Sequence, residues 1–264
     1  MFGIPLAEDW EPTPGFWQKP MMYMCANVLE PGTCNYDLGM YQIEDTWALV
    51  EYFLSEFHKR EILNPEDGKK VDAIFVNGDN NAHGLTYRDY VELHLLNQNG
   101  DTTEFMERMK KTQNRWTHLY QLIANATEHQ IPILPTFGNN DMVVHSQANT
   151  PELKKFYLPI VYDIWFKNQK VKPADPATFL DGGYYRYDFE GRALSLLAMN
   201  TVMYMRQNRE YGAAMQNQMD WLEATLKQNA ELPVAVRKQF MISMHVFPGL
   251  NYFGGVESLW LPDW

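Results

Sequence analysis

Short apolar runs alternate along this chain with longer stretches whose apolar residues recur at helical spacing. Ala73–Val76, Ile131–Phe137 and Phe240–Met244 are β-branched and aromatic runs bounded by turn residues, and each predicts a buried strand. Ahead of the first, Ile43, Trp47, Val50, Leu54 and Phe57 fall on one helical face, which Asn64-Pro65-Glu66-Asp67-Gly68 brings to a stop. A second helical segment covers Tyr87–Asn97 and Phe105–His129, broken near Asn99-Gly100-Asp101, with Trp116, Leu119, Tyr120, Ile123 and Ala126 on one side. Pro151–Phe166 predicts a third helix. From about Ala177 the texture changes: Gly182–Phe189, Glu190-Gly191 and Ala193–Met199 predict a hairpin. Gln218–Asn229 then predicts a short helix with Met219, Leu222 and Leu226 inward. Residues 1–41 are rich in Pro, Gly and Trp and predict irregular structure around at most one strand, Phe2–Leu6. There is no internal repeat or dividing linker, so 1–264 reads as one domain with its core in 42–264.

Polar residues cluster where the strands end. Val76-Asn77 runs into Gly78-Asp79-Asn80-Asn81-Ala82-His83, Phe137 into Gly138-Asn139-Asn140-Asp141, and Met244 into His245-Val246-Phe247-Pro248-Gly249. Oxygen and nitrogen donors leaving three strands at the same end predict an α/β sheet with one ligand site along one rim. Carboxylate and amide oxygens suit Mn or Mg, and imidazole suits Zn or Fe. Taken singly, each group has a plainer reading. Asp79 caps a helix, Asn139-Asn140 are turn residues, and His245 is a core histidine. His83 and His145 divide evenly between site rim and ordinary surface.

Composition narrows the classes. Apolar residues at 45% and charged residues at 21% are those of a globular protein with ample core. A net charge of −11 argues against a nucleic-acid surface and requires a local cation if a phosphate is to bind. No apolar run is long enough to span a membrane. The start, Met1-Phe2-Gly3-Ile4-Pro5-Leu6, lacks the basic and apolar regions of a secretory signal, which favours a cytosolic or organelle-associated setting. Cys25 and Cys34 are then free thiols rather than a bridge. The Trp116-Leu119 and Trp221-Leu222 patterns read as core, Lys110-Lys111 as a solvated helix face, and Asn200 as a structural hydrogen-bonding residue.

The order Gly78-Asp79-x-x-Ala82-His83, Gly138-Asn139-Asn140-Asp141 and His245-x-x-Pro248-Gly249 resembles the calcineurin-like metallophosphoesterases, in their acid-sphingomyelinase-like and endopolyphosphatase-like branch. Leu196–Thr201 and Gln218-Met219-Asp220-Trp221-Leu222 resemble that family's strand ending in Asn and its following helix, so the likeness covers about Gln42 to Trp260. It implies a four-layer α/β/β/α fold, a β-sandwich flanked by helices. It makes Asp79 the metal-bridging carboxylate and Asn139 and His245 ligands of a second metal. It sets His83 beside the substrate phosphate and Asn140 where most members carry a leaving-group histidine.

Two motifs of the family are absent. It opens with Asp-x-His and closes with Gly-His-x-His. Here Ala7-Glu8-Asp9 stands in the best-placed register for the first, and His245 is the last histidine. The resemblance therefore implies a fold lacking its C-terminal strands, at most one weakly bound divalent metal (Zn, Mn or Fe) and impaired catalysis. Missing strands leave a sheet edge and Leu259, Trp260, Leu261 and Trp264 uncovered, an invitation to protein partners in a larger assembly. The expected role is a structural or assembly subunit. The competing expectation is an active phosphodiesterase or polyphosphatase whose ligands are completed by a partner or a longer chain.

Overall fold

Helix α1 (Ile43–Phe57) runs directly into a π-helical turn, His58–Leu63. Among its described side chains, Val50, Leu54 and Phe57 are partly buried, as their spacing predicts, as is Glu56, while Tyr52 is exposed. His58 Nδ1 lies 2.7 Å from the Ala126 carbonyl at the end of α2, which is described over 116–126. The computed structural model describes residues 43–63, 71–80, 116–143, 146–167, 172–251 and 257–261, all within the compact unit Ile43–Trp264. Phe2–Leu6, Cys25, Cys34, Tyr87–Asn97, Lys110, Lys111, His83, His145 and Trp264 lie outside the described residues.

The chain is mixed α/β. Strand β1 (Ile74–Asn77) pairs parallel with β2 (Ile133–Thr136), Val76 opposite Pro135. Pro135 does not weaken the ladder, because Ile74 N donates to Pro132 O and that register turns the ring nitrogen of Pro135 away from β1. The hairpin is present: β3 (Tyr185–Asp188) pairs antiparallel with β4 (Leu194–Ala198). After helix α5 (Gly212–Glu231), β5 (Gln239–Ser243) returns parallel to β4.

This topology corrects the expectation of a single sheet. The three strands with polar ends belong to two sheets, because β5 is delivered by a β4–α5–β5 crossover that sets it beside β4. Side chains tie the sheets together. Tyr185 Oη donates to Pro135 O at 2.8 Å, and Ser243 Oγ donates to Asn77 Oδ1 at 2.9 Å.

Helix α3 (Pro151–Phe166) covers β2 with aromatic rings. Phe137 is fully buried, 4.6 Å from Trp165 and 5.8 Å from Phe179 between ring centroids, and Phe166 meets Tyr185 at 5.2 Å. Because Phe137 immediately precedes Gly138, this cluster anchors one side of the polar rim. Phe179 comes from a helix the hydrophobic pattern does not reveal, α4 (Pro176–Gly182), too short for periodicity to register. Its ends are nonetheless marked. Asp175 caps Ala177 N, Pro176 opens the first turn, and Gly183 closes the last at φ 75.

Two further expectations need correction. Helix α5 is longer than expected, and it buries Met215, Gln218 and Thr225 while Leu226 is 41% exposed. Met219 packs against the core and Leu222 is partly buried, as expected, and Gln218 joins them because it has partners inside. Its Oε1 accepts from Asn200 N at 2.9 Å, and its Nε2 donates to Tyr204 Oη at 2.8 Å and to Asn200 O at 3.3 Å. The apolar tail is covered rather than exposed. Trp260 stacks on Tyr204 at 4.7 Å, Leu261 N donates to Tyr204 O, Leu261 is buried and Leu259 packs against the core. A short hairpin, β6 (Leu250–Asn251) with β7 (Glu257–Ser258), brings the tail back. Among the described residues no helix is long and apolar enough to cross a membrane.

Candidate functional site

The carboxyl ends of β1, β2 and β5 meet, although their strands do not share a sheet. Gly78 and Asp79 both turn left-handed, at φ 79 and 55, and this bend swings the Asp79 carboxylate toward the neighbouring loop. The loop after β2 comes in close enough that neither backbone has room for a side chain. A Cβ on Gly78 would stand 2.5 Å from Gly138 N, and 2.8 Å from His245 Nδ1. Asp79 Oδ1 accepts from Asn140 N at 3.1 Å, locking the two loops together.

His245 is held at both ring nitrogens. Nδ1 lies 2.6 Å from the Asn77 carbonyl, which can only accept, so Nδ1 is the protonated position. The other nitrogen, Nε2, faces Asn139 Oδ1 at 2.9 Å and Asp79 Oδ1 at 3.3 Å. The residue after it is pinned from two sides: Val246 N donates to Thr201 Oγ1, and Trp260 Nε1 donates to Val246 O, both at 3.0 Å. Asn139 turns its amide nitrogen away, to Ser146 Oγ at 3.3 Å. In the bare site Nε2–H would donate to these oxygens; with that proton displaced, three electron-pair donors from three strand ends point at one place.

That donor set fits a divalent ion. Donors bound ~2.1 Å from one ion stand about 3.0–3.4 Å from one another in octahedral or tetrahedral geometry. The separations here, 2.9 and 3.3 Å, are close to those edges. The Nδ1–H to carbonyl bond is also the outer contact a metal-bound histidine makes. Asp79 Oδ1, Asn139 Oδ1 and His245 Nε2 would hold one ion and supply a polarising charge to a bound oxygen. Among the described residues no three His, Cys, Asp or Glu side chains converge, so the trio depends on the Asn139 amide oxygen as its third donor.

Behind this trio lies a network not singled out from the sequence. Asp141 is fully buried, and its Oδ2 accepts from Gly138 N at 2.8 Å and Asn80 Nδ2 at 3.0 Å. Tyr120 Oη donates to Asn80 Oδ1 at 3.0 Å, and Tyr157 Oη donates to the Asp141 carbonyl. Burial, and secondly the Asp141 charge, pushes both phenols well above their ordinary range, so they remain donors. Asp141 thereby clamps the loop after β1 to the loop after β2. In the sequence Asp141 shows only as the last residue of Gly138-Asn139-Asn140-Asp141, and its bond to Asn80, beyond β1, leaves no local signal.

The remaining expected residues divide. Asp79, Asn139 and His245 come together, and Asn140 is buried beside them through its backbone bond to Asp79. Asn200 takes no part. It bonds Gly182 O and Gln218, the structural role expected for it. Trp116 is core, stacked on Trp165 at 6.5 Å. Comparison with models of known protein families and with curated proteins finds no match to this chain.

Proposed function

We propose that this chain is a degenerate member of the calcineurin-like metallophosphoesterases that holds at most one divalent ion and serves as a structural or assembly subunit. On this reading the two sheets are the two inner layers of a helix-flanked sandwich. The observation that carries it is the meeting of Asp79, Asn139 and His245 from three strand ends, in the motif order the resemblance requires.

The chemistry points to loss of turnover. Phosphoester hydrolysis by this class uses two ions ~3.5–4 Å apart to generate hydroxide and clamp the phosphate. One ion with three protein donors can still lower the pKa of a bound water, but it leaves the phosphate without the second half of that clamp. Asn140 occupies the expected place of a leaving-group histidine, and a neutral amide has no proton to give there. An assembly role has a surface to offer. Strand β5 pairs only with β4 among the described residues, and exposes Met241 (36%) and Ile242 (47%).

The test is metal loading of the full chain after chelation, with Mn, Zn or Fe counted per chain, and an activated phosphodiester as substrate. The expected result is no more than one ion, lost in Asp79→Ala, with no turnover. Two ions per chain, or hydrolysis abolished by Asp79→Ala, would replace this reading with that of a working phosphodiesterase.

A further inference from the structure

A cavity of about 320 Å³ lies away from the metal-type rim, between one face of α5 and the β3 edge. Helix α5 contributes Trp221, Ala224, Thr225 and Gln228, spaced i, i+3, i+4 and i+7, so a single helical face forms one wall. Arg186 and Asp188 from β3 form the other, and Asp175 and Thr178 close the end. The volume is at the small end of the range for ligand sites, ~300–1,000 Å³.

The polar groups on these walls are partly used and partly open. Asp188 gathers its contacts on one oxygen: Oδ1 accepts from Arg186 Nε at 2.8 Å and from Ser195 Oγ, and lies 3.3 Å from Lys238 Nζ. Its Oδ2 takes no hydrogen bond among the described residues. Arg186 bonds through Nε, and its guanidinium carbon sits 5.5 Å from the Phe240 ring centroid, which fixes the plane and leaves both Nη groups to donate. The amide of Gln228 and the indole N–H of Trp221 also make no hydrogen bond among the described residues. Trp221 is itself braced by Tyr184, centroid to centroid at 4.9 Å.

We propose that this cavity binds one neutral polyhydroxylated ring, a monosaccharide unit. A hydroxyl both donates and accepts, and the open Asp188 Oδ2 beside the open Arg186 Nη groups presents one acceptor and several donors side by side. Charged ligands gain little, because Arg186 and Lys238 are both ion-paired to Asp188, and the Asp175 carboxylate brings these charges to zero net. The Trp221 ring offers an apolar surface to the C–H face of a sugar. Packing and ion pairing hold all three side chains, so little freedom is lost on binding.

The test uses the full chain with glucose, galactose, mannose and N-acetylglucosamine as separate probes, followed by saturation-transfer NMR and tryptophan fluorescence. Glucuronate and glucosamine serve as charged counterparts. The expected result is saturable binding of at least one neutral sugar. Gln228→Ala should weaken it about tenfold, and Ala224→Phe, which fills the cavity from an exposed helix position, should abolish it. Both variants should melt like the parent, since neither removes a packed group. No saturation by any neutral probe, preference for a charged one, or binding unaffected by Ala224→Phe would each overturn the assignment.

Discussion

Gly138 has no space for a side chain because Asp79 lies directly against it. A Cβ at Gly138 would stand 2.1 Å from Asp79 N and 2.3 Å from Asp79 Oδ1. Gly138 itself has an ordinary extended backbone, φ −97, so the requirement is purely one of space. Gly138→Ala is therefore expected to destabilise the chain by about 1–3 kcal/mol through overpacking. It should also displace the Asp79 carboxylate from His245. Urea unfolding reads the first effect and metal binding the second; an unchanged ion affinity would show that the Asp79–His245 approach does not depend on this contact.

Alkaline stability should report on the buried phenols. Burial raises Tyr184 and Tyr204 to about 12, with the Gln218 bond partly opposing the rise at Tyr204. An unfolded tyrosine ionises near its ordinary value of ~10. Between those values the unfolded chain binds fewer protons than the folded one, so stability falls with rising pH. The contribution is complete below about pH 10 and lost as pH passes through 12. The expected observation is cooperative unfolding in that window, with tyrosinate absorbance and loss of helical circular dichroism appearing together. Phenols that ionise well before the helices melt would contradict the burial described for them.

Gln218→Leu preserves size and removes polarity. It leaves Asn200 N and Asn200 O without their side-chain partners in a buried position. Each buried group orphaned costs about 1–3 kcal/mol. The substitution should therefore destabilise clearly, although an apolar residue at a core helix position would ordinarily be welcome. Stability equal to or above the parent in denaturant titration would show that the Asn200–Gln218 pair contributes nothing net.

Gln218 also marks where pattern reading stops. An apolar stripe at 219, 222 and 226 is a fair guess for an isolated helix, but a glutamine that finds two backbone groups of Asn200 outcompetes Leu226 for the interior. Such partners are 18 residues away and leave no local trace. The same holds for Asp141 and Asn80, joined across 61 residues. By contrast, Asp79, Asn139 and His245 were legible because each follows a strand-like run, and the carboxyl ends of such runs tend to gather. The burial of Trp260 and Leu261 is illegible in the sequence for a third reason. Whether an apolar tail is covered depends on a ring such as Tyr204, which sequence order does not place.

Strand β5 supplies a prediction about association. Ile242 is 47% exposed on a strand whose one partner among the described residues is β4. A charge on an exposed edge is the usual guard against strand pairing. Ile242→Lys should leave the melting temperature within a degree or two while removing any concentration-dependent association or co-purifying partner. If light scattering and pull-down composition are the same for both proteins, β5 is not the contact surface.

Trp260 connects the tail to the rim, and its removal should be felt in both places. Its ring stacks on Tyr204, it is 6% exposed, and its indole N–H is donated to Val246 O next to His245. Trp260→Ala opens a cavity in the core and should cost about 3–5 kcal/mol. Trp260→Phe keeps most of the stacking but deletes the bond to Val246. That bond and the Thr201 Oγ1 contact to Val246 N are what hold the backbone beyond His245 in place. The phenylalanine variant should therefore stay folded, with a smaller stability loss, yet bind a divalent ion more weakly than the parent. Equal ion affinity in parent and Trp260→Phe would mean that β5 alone positions the imidazole, and that the tail serves only to close the core.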